Sequence, residues 1–178
     1  PPIGNANYAW IQHFVFHLAP HGKAGFVLAK GALTTKQKAE YEIRKNMIED
    51  DIIDCIVNLP PKLFLNTQIP ASLWFIRRGK TTRKREILFI DARDMGKLIN
   101  RRTRILTQGD IKKIADTYHE WQKGNENYED IKGFCKSATI EKVKELDYVL
   151  TPGRYVGLPE AEEDFNFEER FAKIKSRI

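Results

Sequence analysis

The stretch LPPKLFLNTQIPASLWFI, residues 59–76, holds one large aromatic, Phe64, in a segment bounded by prolines and rich in side-chain amides and hydroxyls: Asn66, Thr67 and Gln68 follow at once. A ring in such a loop either packs into the core beneath the strands it joins or is held out for a use that the residues alone do not state. A second spacing with chemical meaning is His13, His17 and His21, four apart. Two histidines at i and i+4 can share a metal on one helix face, but a metal needs further ligands. No carboxylate or cysteine stands at a third-ligand spacing, and His21 falls in a Pro-Gly turn, so these read as solvent-facing or hydrogen-bonded histidines. There is no G-x-G-x-x-G and no P-loop, so no phosphate-cradling loop is written into the chain. No Ser-His-Asp or Cys-His set can be defended from spacing. Two basic runs, RRGKTTRKRE and NRRTR, read as solvated faces that could equally touch a phosphate backbone.

The elements that must position these residues follow from hydrophobic period. Residues 5–18 are apolar nearly all round, as in a helix buried on most sides. AGFVLA, residues 24–29, is a continuous apolar run of the kind found in a buried parallel strand. A second helix carries Ala39, Ile43 and Met47 on one stripe. DIIDCIVNLP, ASLWFI and REILFIDAR read as three further strands. The loop over residues 60–70 is short, which predicts antiparallel pairing of the strands around it. Thr107 and Asp110 have capping-box spacing and open a helix with the stripe Ile111, Ile114, Ala115, Tyr118, Trp121. Irregular sequence then runs to about Thr139, followed by a short helix and the extended DYVLTPGRYVG. Phe167, Phe171, Ile174 and Ile178 form a last helical stripe. The order predicts an α/β sheet protein.

Composition sets outer bounds. The chain has 178 residues, 42% of them apolar and 30% charged, with net charge +6. No apolar run approaches the length of a membrane span. The modest basic excess permits a polyanion partner without requiring one. Cys55 and Cys135 lie far apart in no CxxC pair and read as ordinary thiols in a reducing compartment. A start at Pro-Pro-Ile-Gly, without Met, reads as a fragment.

The segments PPIGNANYAWIQHFVFHLAPHGKAGFVLAKGAL, EIRKNMIEDDIIDCIVNLPPKLFLNTQIPASLWFI, FIDARDMG, LTQGDIKKIADTYHEW and GFCKSATIEKVKELDYVLTPGRYVG, in that order, resemble the C-terminal half of the modification (methylation) subunit of type I restriction–modification systems. That subunit is an S-adenosylmethionine-dependent adenine-N6 DNA methyltransferase. The resemblance runs from Pro1 to about Gly157 and is most specific in LPPKLFLNTQIPASLWF and YVLTPGRYVG. It implies the second half of a Rossmann-like methyltransferase sheet, its last three strands ending in an antiparallel hairpin, plus a helical C-terminal extension. On this reading residues 1–100 belong to the catalytic domain and residues 101–178 to an extension that docks another subunit.

The family's methyl donor is held by a Gly-rich loop after the first strand, and its catalytic Asn-Pro-Pro-Phe motif follows the fourth. Neither occurs in this sequence. The expectation is therefore that catalytic and S-adenosylmethionine-binding residues lie outside this chain, and that alone it neither methylates DNA nor binds the cofactor. An enzyme acting on adenine must extrude the base and stack it. The resemblance places Phe64 where similar enzymes keep a base-stacking aromatic, with Asn66 and Thr67 shaping the loop or touching the nucleotide. It implies DNA, a DNA-specificity subunit and a restriction subunit as partners, no membrane, and a cytoplasmic prokaryotic setting. The other readings are a non-catalytic module that docks the specificity subunit and a generic basic nucleic-acid-binding domain.

Overall fold

The computed structural model describes residues 6–124 and 127–158. Helix α1 (Asn7–His17) leads to strand β1 (Lys23–Ala29), a 3-10 turn (Lys30–Leu33), α2 (Lys38–Glu49), β2 (Ile53–Asn58), β3 (Ala71–Arg77) and β4 (Glu86–Asp91). A two-residue-strand hairpin, β5 (Lys97–Leu98) and β6 (Arg104–Ile105), precedes α3 (Gln108–Lys123), β7 (Cys135–Thr139), α4 (Ile140–Glu145) and a second 3-10 turn (Pro152–Arg154). The stripe Phe167, Phe171, Ile174, Ile178 lies outside the described residues.

Five strands form one mixed sheet in the order β1-β3-β2-β4-β7. β2 and β3 pair antiparallel across the 60–70 loop, as its length requires, and β3 is inserted between β2 and β1. β2 and β4 are parallel, so the C-terminal ends of β1, β2 and β4 all lie at one end of the sheet. Every residue of β2 is buried, because helices cover both faces of the central strands. A register shift between Ile53 and Cys55 puts Ile53 and Ile56 on one face and Cys55 and Val57 on the other. On the first face α1, α2 and α4 pack Tyr8, Ile11, Met47, Ile48, Ile140 and Val143 against Trp74 and Phe89. On the second, α3 brings Ile114 and Trp121 onto Val57, Leu88 and Ile90. The capping box is present: Thr107 Oγ1 accepts from Asp110 N at 3.1 Å, and Asp110 Oδ2 accepts from Thr107 N at 2.8 Å.

Four expectations need correction. β1 is not a buried parallel strand. It is an edge strand, antiparallel to β3, and only Phe26 among its residues is buried. α1 is not buried on most sides: Tyr8 and Ile11 face the core, while Trp10 is 59% and Phe16 80% exposed. An apolar residue is buried only where another layer exists, and the described residues cover one side of this helix. Of the α2 stripe Met47 is buried and Ile43 packs against the core, but Ala39 is exposed, and the buried face takes in Glu40, Arg44 and Ile48 instead. Arg44 is held there by carbonyls, with Nε donating to Tyr148 O at 2.8 Å and Nη1 to Thr35 O at 3.0 Å. Finally, the segment read as irregular before Thr139 contains β7, which pairs with β4 and extends the sheet.

Candidate functional site

Open α/β sheets present ligands at the carboxyl ends of their strands. That end here gathers three chain segments: the 59–70 loop after β2, the β5–β6 hairpin after β4, and the TPGRY turn.

The 59–70 loop is closed at its base by Leu59 N donating to Ala71 O at 2.9 Å. Lys62 adopts a left-handed backbone, φ 71°, that redirects the chain. Phe64 and Thr67 then form an isolated antiparallel bridge with Leu65 and Asn66 at its tip. Thr67 Oγ1 accepts from Ile69 N at 3.1 Å, so Thr67 shapes the loop. Asn66 is exposed. Phe64 is 42% exposed and Leu65 87%. Phe64 is therefore displayed and lies outside both core clusters.

What holds the loop is the β5–β6 hairpin. Lys62 Nζ donates to Arg101 O at 2.9 Å, Gln68 Nε2 to Arg102 O at 3.2 Å, and Arg104 N to Lys62 O at 2.8 Å. The hairpin has its own braces. Arg104 Nη1 donates to Met95 O at 2.7 Å and to Gly96 O at 3.2 Å. Gly96 sits at φ 84°, and a Cβ there would meet Ile105 O at 2.6 Å, so only glycine fits. At the tip, Asn100 Oδ1 accepts from Arg102 N at 2.8 Å.

The TPGRY turn folds onto the same end. Tyr155 stacks on Phe89 with centroids 3.7 Å apart, and its hydroxyl donates to Val149 O. A Cβ on Gly153 would stand 3.1 Å from Asp91 Oδ2. Asp91 ends β4, takes a 3.2 Å bond from Asn58 Nδ2, and pairs with Arg93 at 2.8 Å. That carboxylate raises the Arg93 pKa further. The two segments on which the resemblance chiefly rests thus lie at one sheet end.

Sequence reasoning singled out Phe64, Asn66 and Thr67 and noted Gln68 and the basic NRRTR run, but it missed Lys62 and the hairpin as an element, because strands of two residues carry no periodic signal. The histidines stay apart as chemistry. His13 and His17 are exposed ring neighbours, their centroids 4.4 Å apart, while His21 lies in the turn beyond α1. No group of three or more His, Cys, Asp or Glu is placed to hold a metal among the described residues. Burial pushes the thiols of Cys55 and Cys135 up, which leaves neither as a nucleophile. No helix of the described residues is long and apolar enough to cross a membrane.

A mixed sheet with an antiparallel strand inserted between parallel ones, and a displayed aromatic loop at its carboxyl end, defines a partial Rossmann-like α/β fold. The chain belongs to the N-6 DNA Methylase family, which it matches over residues 1–164. It is 53% identical over 164 residues to the type I restriction enzyme HindI methylase subunit of Haemophilus influenzae, a match covering 92% of this chain and 37% of that protein. It is 47% identical over 180 residues to the type I restriction enzyme MjaIX methylase subunit of Methanocaldococcus jannaschii, covering 100% of this chain and 32% of that one. Among solved structures it is similar to the type I restriction–modification methyltransferase subunit of Streptococcus thermophilus. There the TM-score is 0.77 at 32% identity, with 88% of this chain and 31% of that chain covered. The chain thus spans about a third of the length of the relatives it matches. These relatives bear out the resemblance drawn from the residues.

Proposed function

We propose that this chain is the C-terminal part of the catalytic domain of a type I methylation subunit and that its 59–70 loop receives the adenine extruded from DNA. One observation carries the reading: Phe64 is displayed on a loop pinned by Lys62 and Gln68 at the carboxyl end of the sheet. An extruded base needs a flat apolar face to stack on, and a fixed loop supplies it without ordering cost at the moment of binding. Asn66, exposed beside the ring, is free to reach the nucleotide, and Thr67 holds the turn. The reaction of the intact subunit is methyl transfer from S-adenosylmethionine to adenine N6.

The described residues alone make no cradle for the donor: at the end of β4 Asp91 is ion-paired with Arg93, accepts from Asn58 and packs against Gly153, and what stays there without a hydrogen bond is Asn58 Oδ1 and Asp91 Oδ2. We therefore derive no step of the donor on this chain and assign its binding, and the catalytic residues, to the additional length that the relatives carry. A DNA-specificity subunit and a restriction subunit complete the assembly on this reading. The 167–178 stripe is assigned to subunit docking, whereas α3, β7 and α4 of the 101–178 span complete the sheet and its cores.

A second reading, a docking module without chemistry of its own, is favoured by β1. Among the described residues that strand is an unpaired edge, and a groove of about 400 Å³ lined by Val27, Leu73, Phe75 and Ile111 lies beside it. An unpaired edge next to an apolar groove is a surface for another strand. On this reading its occupant is the DNA-specificity subunit.

The test of the base-stacking reading is Phe64→Ala in the intact subunit complex. Stacking platforms contribute about 1–3 kcal/mol per base, so methylation should fall roughly 10- to 100-fold. Phe64→Trp should restore most of it, since any π-face stacks. An unchanged rate in Phe64→Ala sinks the stacking role.

A further inference from the structure

The β5–β6 hairpin carries Lys97, Arg101, Arg102 and Arg104 with no acidic residue from 97 to 104. Arg104 is turned inward to brace the Met95 and Gly96 carbonyls. Lys97, Arg101 and Arg102 are exposed, and among the described residues none of the three has a carboxylate partner. Several exposed cations elsewhere are paired, Lys112 with Asp116, Lys123 with Glu120, Lys136 with Asp130 and Lys142 with Glu145, whereas three without such a partner gather on this one short hairpin. The backbone of the tip is also fixed. The Arg101 and Arg102 carbonyls are occupied by Lys62 and Gln68 of the aromatic loop, and Asn100 holds the Arg102 amide. The two guanidinium side chains therefore project from a rigid turn whose inner side is bonded to the loop that displays Phe64.

We infer that the β5–β6 hairpin is a phosphate clamp: Arg101 and Arg102, with Lys97 beside them, bind DNA backbone phosphates flanking the base presented to Phe64. Guanidinium groups suit this ligand because their fork matches two phosphate oxygens and their charge displaces condensed counterions. The same two residues bind through opposite ends, the side chain to the phosphate and the carbonyl to the loop. The distance between the gripped backbone and the stacking ring is thereby set by covalent and hydrogen-bonded geometry rather than by diffusion of two independent loops. Phosphate contacts position and do not read sequence, so the clamp would act on any target site. The inference rests on the reading that this sheet end faces DNA, and it extends that reading to residues no resemblance assigns.

The test is the salt dependence of DNA binding by the full chain. The probe is a short duplex with one mismatched adenine, and affinity is followed by fluorescence anisotropy between about 50 and 200 mM salt. Each lost phosphate contact lowers the slope of log K against log salt by about 0.9. Arg101→Ala/Arg102→Ala should reduce the slope by about 2 and weaken binding at least tenfold, with an unchanged melting temperature. Arg101→Lys/Arg102→Lys should keep the slope. Lys84→Ala, an exposed cation in the β3–β4 connection at the opposite sheet end, should change it by less than half a contact's worth. An unchanged slope in the double alanine variant overturns the clamp, as does absence of duplex binding even at the lowest salt. Phe64→Ala separates the two ideas. If it leaves affinity for the mismatched duplex untouched while the arginine variant flattens the slope, the stacking reading fails and the clamp stands.

Discussion

The two ends of the sheet use the same residue types in opposite ways. At the end where β2 begins and β3 finishes, Asp54, Arg77 and Lys80 are buried and answered. Asp54 is fully buried and takes bonds from Arg77 Nε at 3.2 Å, Tyr118 Oη at 2.6 Å and Gln122 Nε2 at 2.9 Å. Lys80 Nζ donates to Asp51 Oδ1 and Ile53 O at 2.7 Å and to Glu86 O at 3.0 Å. Burial and then the Asp54 charge push the Tyr118 hydroxyl well above its usual range, so it stays a neutral donor to that carboxylate. At the far end, Arg101, Arg102 and Phe64 are exposed, and the two arginines lack acidic partners among the described residues. A closed network holds a fold, whereas open cations beside an open ring are available to something else. Composition does not distinguish the ends, since both are rich in Arg, Lys and aromatics; what distinguishes them is whether each group is already satisfied.

The comparison breaks most visibly at Asp54. Asp54→Ala would leave Arg77 buried without its anion, while Lys80 keeps Asp51, and breaking a buried pair in this way costs about 3–5 kcal/mol. Urea unfolding of the variant should show that loss; a change below about 1 kcal/mol would mean the network is not what holds this end. At the other end the backbone is the vulnerable part. Gly96→Ala forces a side chain into a left-handed position against Ile105 O and should cost about 1–3 kcal/mol. Its effect should be local, with faster amide exchange in the hairpin and the 59–70 loop before α3. Uniform exchange across the whole chain would deny that hairpin and loop form one braced unit.

The capping box lies at the start of α3, between the hairpin and the closed network. Thr107→Ala removes the acceptor for the Asp110 amide and should cost about 1 kcal/mol. The Asp110 carboxyl is held below its usual range, first by the Thr107 hydroxyl and then by the Thr107 amide. A carboxylate whose folded pKa is depressed binds fewer protons than it does in the unfolded chain. Its contribution is therefore present above the unfolded value of about 3.9 and fades as pH falls through the folded one. Acid titration of unfolding stability should show a component below about pH 4 that is missing in Asp110→Asn. Identical acid profiles in the two proteins would remove Asp110 from the account.

Much of this arrangement was legible in the sequence. β2, β3 and β4 are dense apolar runs, the 60–70 loop is too short for anything but antiparallel pairing, and Thr107-x-x-Asp110 announces its helix. The failures have physical causes. β7 reads CKSAT, and only Cys135 and Ala138 are buried, so a half-exposed edge strand gives too little pattern to see. β1 reads as central because its residues are apolar, yet among the described residues it is the edge of the sheet and Val27 stays exposed. Glu40 and Arg44 were invisible as buried residues because charge normally marks the surface, and here carbonyls from Thr35 and Tyr148 satisfy the arginine. Phe64 was found by its odd company. Its bracing was not, because Lys62 and Gln68 bond to backbone carbonyls some 30–40 residues away, which no local pattern encodes.

The smallest expected effect on stability is also the sharpest test of the contrast. A phenylalanine truncated in a packed core costs about 3–5 kcal/mol, because its transfer energy is lost and a cavity remains. Phe64 has no such cavity to leave: the residue is 42% exposed, it belongs to neither core cluster, and its turn is held by Thr67, Lys62 and Gln68 rather than by the ring. Phe64→Ala should therefore shift unfolding stability by no more than about 0.5 kcal/mol, the range of ordinary surface substitutions. Phe64→Trp should be equally neutral, because the added volume points into solvent. Thermal melts of both variants, set beside their methylation rates in the intact complex, decide between display and packing. A neutral melt with a large loss of rate places the ring's role in binding. A stability loss of several kcal/mol that Trp fails to repair would make Phe64 a core residue and would move the base-contacting surface elsewhere on this sheet end.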